Sequence, residues 1–160
     1  MQDTTPHPCG KCPMYQASVW EPVGAGAIAT LAKGFTRRDL APGEVLFAEG
    51  AENRGVFCVS RGLMALSAHR ADGTSSMLRL AYQGDVIGFR AFLGDGIHRT
   101  EARALVASRV CTVARRDAQK VVRATPAVMA RLAGRALDEL DTARERIVES
   151  AGRSNKARLA

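Results

Sequence analysis

Glycine-centred turns recur at short intervals through the middle of this chain and divide it into segments of a few residues. The segments between them are rich in residues that favour strands, and short strands bounded by such turns are typical of an antiparallel sandwich or barrel. The turn residues are Pro42-Gly43, Glu49-Gly50, Arg61-Gly62, Asp72-Gly73, Gln83-Gly84-Asp85 and Gly94-Asp95-Gly96. Strands are predicted over residues 44–48, 55–60, 63–70, 74–81, 85–88, 99–106 and 109–114.

Asp72-Gly73 is the strongest hairpin signal among these turns. We expect a type I′ turn there, because that turn needs positive φ at both central positions and Asp-Gly is one of its preferred pairs. Residues 63–70 and 74–81 are therefore predicted to pair as a hairpin.

The pattern becomes helical after Ala114. Asp117 is predicted to cap a short helix over residues 118–124, and Thr125 to cap a long helix that begins with Pro126 at its first position. The long helix is predicted to run to about residue 151, where Gly152 ends or loosens it.

The long helix carries small and apolar residues at the spacing of a coiled-coil seam. We expect this seam to form a homodimer through residues 126–151. The alternative is a helix packed on its own β-domain, and the first turns, with Val128, Met129 and Leu132, are expected to pack in that way. The seam consists of Ala133, Leu140 and Ile147, interleaved with Ala136, Ala143 and Ser150.

Charge and composition restrict the class of protein to which this chain can belong. The apolar fraction of 46% is sufficient for a folded core, and no apolar run approaches the length of a membrane span. The first residues lack the apolar stretch of a secretory signal, so a cytoplasmic protein is expected. Residues 109–160 hold 12 basic and 6 acidic side chains, which predicts either attraction to nucleic acid or a solvated helix face.

Several motifs, taken in order, resemble the Crp/Fnr family of transcription regulators. Individually each is short, but the order and spacing of the set are specific, and the resemblance covers residues 9–160. The matching segments are the opening hairpin PGEVLFAEG at 42–50, the strand VFCVSRG at 56–62, the segment GDVIGF at 84–89, the dimer-helix Pro126, and Arg158-Leu159-Ala160, which is similar to the start of the family's DNA-binding domain.

The resemblance implies a mainly β fold, an antiparallel β-roll or jelly roll of the cyclic-nucleotide-binding type, followed by a dimerisation helix. It implies an N-terminal arm over residues 1–33, a sensory β-roll over 34–124, the dimer helix over 125–152 and the start of an absent helix-turn-helix domain over 153–160. The implied function is to sense an effector and control DNA binding, with RNA polymerase as a further partner. The alternative is a standalone dimeric interaction module.

The resemblance also implies two kinds of effector site, the first of them metallic. Oxygen-sensing members hold a [4Fe–4S] cluster on three arm cysteines, spaced C-x2-C-x5-C, and one cysteine in the β-roll. Cys9, Cys12 and Cys111 match three of these positions, whereas Ser18 stands at the remaining one. Cys58 is expected to be a buried structural thiol. A zinc site, or a relic without metal, is the alternative.

The second kind of site is a nucleotide pocket. In members that bind cyclic AMP, an Arg followed by Ser or Thr holds the phosphate, and Gly88, Arg99 and Thr100 match that arrangement. Phe89 replaces the ribose-binding Glu, and Arg99 could instead pair with a nearby carboxylate, Asp95 or Glu101. An unknown effector, a haem, or no effector is also open.

An enzyme is not expected, because no nucleophile, base and acid stand together in the sequence. The three histidines, His7, His69 and His98, are scattered and are expected to be mostly solvent-exposed. His98 is the only one near the nucleotide pocket.

Overall fold

The structure is a computed structural model that describes residues 2–3, 12–15, 17–24, 27–28 and 32–159, and side chains within 12–153 of these ranges. Part of the predicted arm, including Cys9 and half of residues 24–33, lies outside the described residues. Short 3-10 helices occupy Glu21–Val23 and Ala32–Gly34.

The described strands form two antiparallel sheets, which confirms the predicted β-roll. One sheet has the order β1-β2-β9-β4-β7 and the other β3-β8-β5-β6. The strands are β1 Gln2–Asp3, β2 Phe35–Leu40, β3 Val45–Phe47, β4 Gly55–Arg61, β5 Leu63–His69, β6 Ser75–Tyr82, β7 Val86–Ile87, β8 Glu101–Ala104 and β9 Ser108–Ala114.

All seven predicted strands occur, with ends shifted by up to two residues. Strand β2 was not predicted, because its centre is the polar sequence Thr36-Arg37-Arg38-Asp39. It nevertheless pairs with β9 along its whole length and buries its two apolar ends, Phe35 and Leu40.

The hairpin between β5 and β6 forms as predicted, but its turn is not type I′. Among the described residues only glycines have positive φ, and Gly73 has φ 83° whereas Asp72 does not. The Gly73 N–H donates to the Arg70 carbonyl and the Arg70 N–H to the Thr74 carbonyl, so one left-handed glycine closes a three-residue loop. The Asp72 carboxylate accepts from Thr74 N at 2.9 Å and stabilises this loop instead of a left-handed Asp.

Strands β4 and β9 are buried on both faces. Phe57, Val59 and Val110 point between the sheets, where they join a core that includes Met64 and Ala102. The alternating side chains of the same strands form a second core on the opposite face, beneath the arm and the helices. This second core includes Val56, Val113, Val19, Trp20 and Phe35, with Cys58 packed against it.

Three helices complete the described part of the chain. Helix α1, Phe89–Leu93, was not predicted; α2 is Arg115–Ala124 and α3 is Pro126–Leu159. Because α2 begins three residues earlier than predicted, Asp117 lies in its first turn and is not its cap. A carboxylate in the first turn still interacts favourably with the helix dipole.

Helix α3 begins at the predicted proline but does not end at Gly152. A glycine inside a helix costs about 1 kcal/mol relative to alanine, which good helix formers on both sides can offset. The good helix formers around Gly152 are Ala151, Arg153, Lys156 and Ala157. None of the described helices is both long enough and apolar enough to cross a membrane.

The first turns of α3 dock on the β-roll. Val128 and Leu132 are fully buried in the second core, and the Arg131 guanidinium donates to the Ser18 carbonyl at 2.8 Å and pairs with Glu21 at 2.7 Å. Met129 was expected to pack there too, but it is exposed, because it lies one residue further round the helix than Val128. Further along α3 the two large seam residues are largely uncovered, with Leu140 46% and Ile147 66% exposed.

Candidate effector site and thiol cluster

A cavity of about 400 Å³ lies where the β-roll, α1 and α3 meet, and we call it the effector cavity. The sheets and α1 supply its apolar wall, and charged side chains come from β6, α1, the following loop and α3. The apolar wall includes Phe47, Leu66, Ile87, Phe89 and Ile97, and the polar groups include Arg79, Arg90, Arg99, Thr100 and Glu139.

Gly88 lines this cavity and sets the start of α1. Its φ is 80°, and a Cβ there would lie 2.7 Å from the Phe57 ring. Its carbonyl accepts from Asn53 Nδ2 at 3.1 Å. The glycine is therefore required for backbone conformation and close packing at the cavity wall, whatever the cavity binds.

Arg99 and Thr100 also line the effector cavity, but Arg99 lies at its rim. The Arg99 side chain is 72% exposed and pairs with Asp95, one of the two carboxylates considered for it. Glu101, the other, pairs with Arg103 at 2.8 Å. The role of Arg99 and Thr100 in phosphate binding remains a prediction.

Phe89 stands at the position that the resemblance gives to the ribose-binding Glu, and it offers no polar group there. Phe89 is buried in the second core. Ala143 lines a neighbouring cavity of about 570 Å³ between β6 and α3, while Arg144 is exposed and lies 3.7 Å from Asp141. The cavity therefore lacks a ribose carboxylate at position 89.

His98 lines the effector cavity, and the buried Asn53 lies behind it with its Nδ2 3.5 Å from His98 Nε2. The prediction that His98 is solvent-exposed is wrong, because its ring stacks on Phe47 with centroids 3.8 Å apart and is 3% exposed. Asn53 Oδ1 accepts from Arg115 at 3.0 Å, and Asn53 Nδ2 donates to the Gly55 carbonyl at 2.8 Å. Burial lowers the pKa of His98, so the neutral imidazole is favoured.

His98 makes folding stability depend on pH. Because its pKa is below the ordinary value of 6.5 in the folded protein, the unfolded chain binds more protons as the pH falls. Its contribution to stability is therefore complete above about pH 6.5 and is lost as the pH falls through the folded pKa. Urea unfolding across this range should show a smaller pH slope for His98→Gln than for the wild type. The exposed His69→Gln is the control, and an unchanged slope in His98→Gln would contradict the prediction.

Glu139 of α3 and Arg79 of β6 form an ion pair in the wall shared by the two cavities. Arg79 also lies 3.5 Å from Asp85. Burial raises the pKa of Glu139, and the positive charges of Arg79 and Arg90 counteract that effect. This pair connects the helix to the β-roll.

Three cysteines, Cys12, Cys58 and Cys111, line a small cavity of about 40 Å³ beneath the arm. Cys58 stands directly opposite Cys111 in the β4–β9 ladder, so both side chains point to the same face. Trp20 Nε1 donates to Cys58 Sγ at 3.3 Å. Burial raises the pKa of Cys58 to about 12 and also raises that of Cys111, so both thiols are held protonated.

Ser18 lines the same cavity, but its hydroxyl is occupied within the arm. It donates to the Tyr15 carbonyl at 2.7 Å and accepts from Trp20 N at 3.2 Å. Cys9 lies outside the described residues. The structure thus brings Cys12 and Cys111 to one cavity, as the predicted cluster requires, and places beside them Cys58, which the sequence predicts to be a buried structural thiol.

The described residues do not fit a [4Fe–4S] cluster as they are placed. A cavity of about 40 Å³ is comparable with the roughly 30 Å³ that one water occupies in the liquid. Among the described side chains, no group of three His, Cys, Asp or Glu is arranged to hold a metal ion. A cluster would therefore require the arm to be placed differently.

Comparison with known proteins agrees with this fold. The family model described as the cyclic nucleotide-binding domain matches residues 37–125. A probable transcriptional activator of Rhizobium leguminosarum bv. viciae is 27% identical over 156 residues, which cover 98% of this chain and 64% of that protein. The transcriptional activator protein FnrL of Cereibacter sphaeroides is 29% identical over 142 residues, 87% of this chain and 55% of that protein. The chain thus spans between about half and two thirds of these curated relatives.

Solved structures show the same architecture. The catabolite activator protein of Thermus thermophilus superposes with a TM-score of 0.67 at 22% identity, over 81% of this chain and 62% of that one. Likeness at this identity shows the fold alone. The family match covers more than half of the chain, so the chain belongs to the cyclic nucleotide-binding domain family.

Proposed function

We propose that this chain is the effector-sensing and dimerisation part of a Crp/Fnr-type transcription regulator. The observation that carries the proposal is the apolar seam of α3, in which Leu140 and Ile147 are largely exposed although α3 still contacts β6 as far as Arg146. An apolar seam at heptad spacing is stabilised by a second helix of the same kind. Two copies of the chain would bury these residues against each other.

The effector cavity connects to this seam through α3 itself. Glu139 lines the cavity and precedes Leu140 in the sequence, so a ligand that moves one moves the other. A helix-turn-helix following α3 would convert that movement into a change in DNA binding, and RNA polymerase is the further partner that we propose. The curated relatives are longer than this chain, which supports DNA contact outside these 160 residues.

Sedimentation velocity of the 160-residue protein tests the proposal. We expect a dimer at tens of micromolar, because seam burial on two helices supplies the driving force for association. A monomer at that concentration would contradict it. A standalone interaction module would also be a dimer, and sequence coding for a helix-turn-helix downstream of Ala160 distinguishes the regulator from it.

A second proposal concerns the cysteines, and the convergence of Cys12 with Cys58 and Cys111 supports it. We propose that Cys9, Cys12 and Cys111 hold an oxygen-sensitive [4Fe–4S] cluster once the arm is rearranged, because thiolates are the preferred ligands of iron–sulfur clusters. Anaerobic reconstitution with iron and sulfide should then give brown protein that bleaches in air. Cys12→Ala and Cys111→Ala should be colourless, while Arg99→Gln, outside the thiol cavity, should keep the colour. Colourless wild-type protein would reject the cluster.

Cys58 requires its own measurement in the same experiment. If it only packs the core, Cys58→Ala keeps the colour and loses stability; if it ligates the cluster, Cys58→Ala is colourless. Ser18→Cys is the matched variant at the position where the family pattern has cysteine. It should increase iron content per protein if the arm supplies the missing ligand.

A further inference from the structure

Cys58 and Cys111 form a directly opposed pair on two adjacent inner strands of the larger sheet. The β4–β9 ladder is regular from Gly55 to Val59, and within it Cys58 stands opposite Cys111. Directly opposed residues of an antiparallel pair have Cα atoms about 4.5–5.5 Å apart, and a disulfide spans about 4.4–6.8 Å between Cα atoms. The register therefore places the two backbones within the range that a disulfide can bridge.

The two thiols point into the same small cavity beneath the arm, and Cys12 lines that cavity as well. Trp20 Nε1 donates to Cys58 Sγ at 3.3 Å, which holds this sulfur on the face that carries the arm. As placed, the three described thiols do not form a metal site, and the cavity of about 40 Å³ leaves little room for one. A disulfide needs no space beyond that of the two thiols themselves, so the observed arrangement suits a bond between sulfur atoms.

Cys12 and Cys111 differ in their access to solvent. Cys12 of the arm is partly exposed, whereas Cys111 is 5% exposed. Oxidation of a cysteine follows its exposure as well as its thiolate character, so an oxidant in solution reaches Cys12 before it reaches Cys111. Because Cys12 lines the same cavity as the pair, an oxidised Cys12 sulfur has the two thiols of the sheet as its reaction partners.

We propose that Cys58 and Cys111 form a cross-strand disulfide, and that Cys12 is the thiol through which a hydroperoxide oxidises the pair. The hydroperoxide converts the Cys12 thiol to a sulfenic acid and is itself reduced to an alcohol, or to water in the case of hydrogen peroxide. The Cys111 sulfur then bonds to the Cys12 sulfur, and the Cys111 proton leaves with the hydroxyl group as water. Cys58 finally attacks the Cys111 sulfur, the bond between Cys12 and Cys111 breaks, and the Cys58 proton passes to the Cys12 sulfur.

The bond between Cys58 and Cys111 is expected to be reversible. The Cβ atoms of opposed residues lie about 4.5–5.5 Å apart, whereas a disulfide prefers about 3.5–4.5 Å. The two strands must therefore draw together slightly, and a disulfide strained in this way is reduced more readily than a relaxed one. The pair is thus a redox-modification site of the β-roll that a small dithiol resets. It goes beyond the proposed function, because it requires neither the dimer nor the cluster.

Hydrogen peroxide treatment of the full chain, kept free of metal with a chelator, tests the site when it is followed by tryptic digestion without reduction and mass spectrometry. Trypsin places each of the four cysteines in a separate peptide, so every possible bond is distinguished. We expect peroxide to join peptide 55–61, which contains Cys58, to peptide 110–115, which contains Cys111. Dithiothreitol should separate them again.

Three variants test the route of oxidation. Cys58→Ser should stop at a bond between Cys12 and Cys111. Cys12→Ser should form the cross-strand bond at least about 10-fold more slowly than the wild type, because the exposed thiol is gone. Cys9→Ser, which removes the other cysteine of the arm, is the matched control and should not slow it.

Oxidised wild-type protein in which peptides 55–61 and 110–115 stay separate would overturn the proposal, as would a bond between Cys9 and Cys12 as the sole product. Equal rates in Cys12→Ser and wild type would overturn the route through Cys12. The comparison of rates remains decisive if Cys58→Ser does not fold. Sedimentation of the same samples keeps the proposals distinct: a dimer without the disulfide refutes only this inference, and a monomer with it refutes only the proposed function.

Discussion

Leu140→Glu and Ile147→Glu are each expected to convert the protein from a dimer to a monomer. In a symmetric pair of helices each substitution places two carboxylates opposite each other in an apolar seam, where unpaired charge is strongly disfavoured. A loss of about 3 kcal/mol or more of association free energy corresponds to a dissociation constant at least roughly 100-fold higher. Sedimentation equilibrium at several protein concentrations measures it directly.

The matched control for both variants is Val148→Glu. Val148 is 71% exposed and lies next to Ile147 in sequence, but about 100° further round the helix and so outside the seam. This variant should remain a dimer. If Val148→Glu dissociates while Ile147→Glu does not, a different face of α3 forms the interface.

Leu132→Ala is expected to give the largest loss of folding stability among single changes in α3. Leu132 is fully buried among Val19, Val128 and the other residues of the second core, and it anchors the helix to the β-roll. Truncating a buried leucine to alanine costs about 2–5 kcal/mol, the spread reflecting how far the cavity collapses. Urea unfolding monitored by circular dichroism should show the midpoint shift.

Leu137→Ala provides the comparison on the same helix. Leu137 is mostly exposed, so the same chemical change should alter stability by no more than about 0.5 kcal/mol. Equal effects of the two substitutions would mean that α3 is not docked on the β-roll through Leu132. Both variants are best measured at one protein concentration, because dimer formation adds to apparent stability.

The β-roll could be predicted because its strands are separated by glycines and prolines at regular intervals, and these residues act locally. The structure places six of the turn glycines, including Gly43, Gly62 and Gly84, at positive φ, which other residues adopt only at a cost. Strand β2 was not predicted because only its two end residues, Phe35 and Leu40, are buried in the core. Its place in the sheet comes from pairing with β9, which is distant in the sequence. The predicted end of α3 at Gly152 is wrong because the helix formers on both sides of this glycine continue the helix to Leu159.

The site was predictable only in part, since its chemistry depends on contacts between distant segments. Cys58 meets Cys111 through the register of β4 and β9, which no spacing in the sequence encodes. The pair of Arg79 and Glu139 joins residues 60 positions apart, and each alone looks like an ordinary surface charge. The prediction that His98 is exposed is wrong for the same reason: its burial comes from stacking on Phe47 of β3, which lies far away in the sequence.

Strands β4 and β9 have no solvent-facing side over most of their length, and this limits how the protein can change. A larger side chain on the face of β4 and β9 that carries Cys58 and Cys111 would push the strands toward the opposite face. On that face Phe57 packs against the backbone at Gly88. Because interiors are close-packed, such a displacement is transmitted and not absorbed. Packing on the two faces is therefore coupled: a larger side chain at Cys58 or Cys111 would be felt in the core between the sheets as well as beneath the arm.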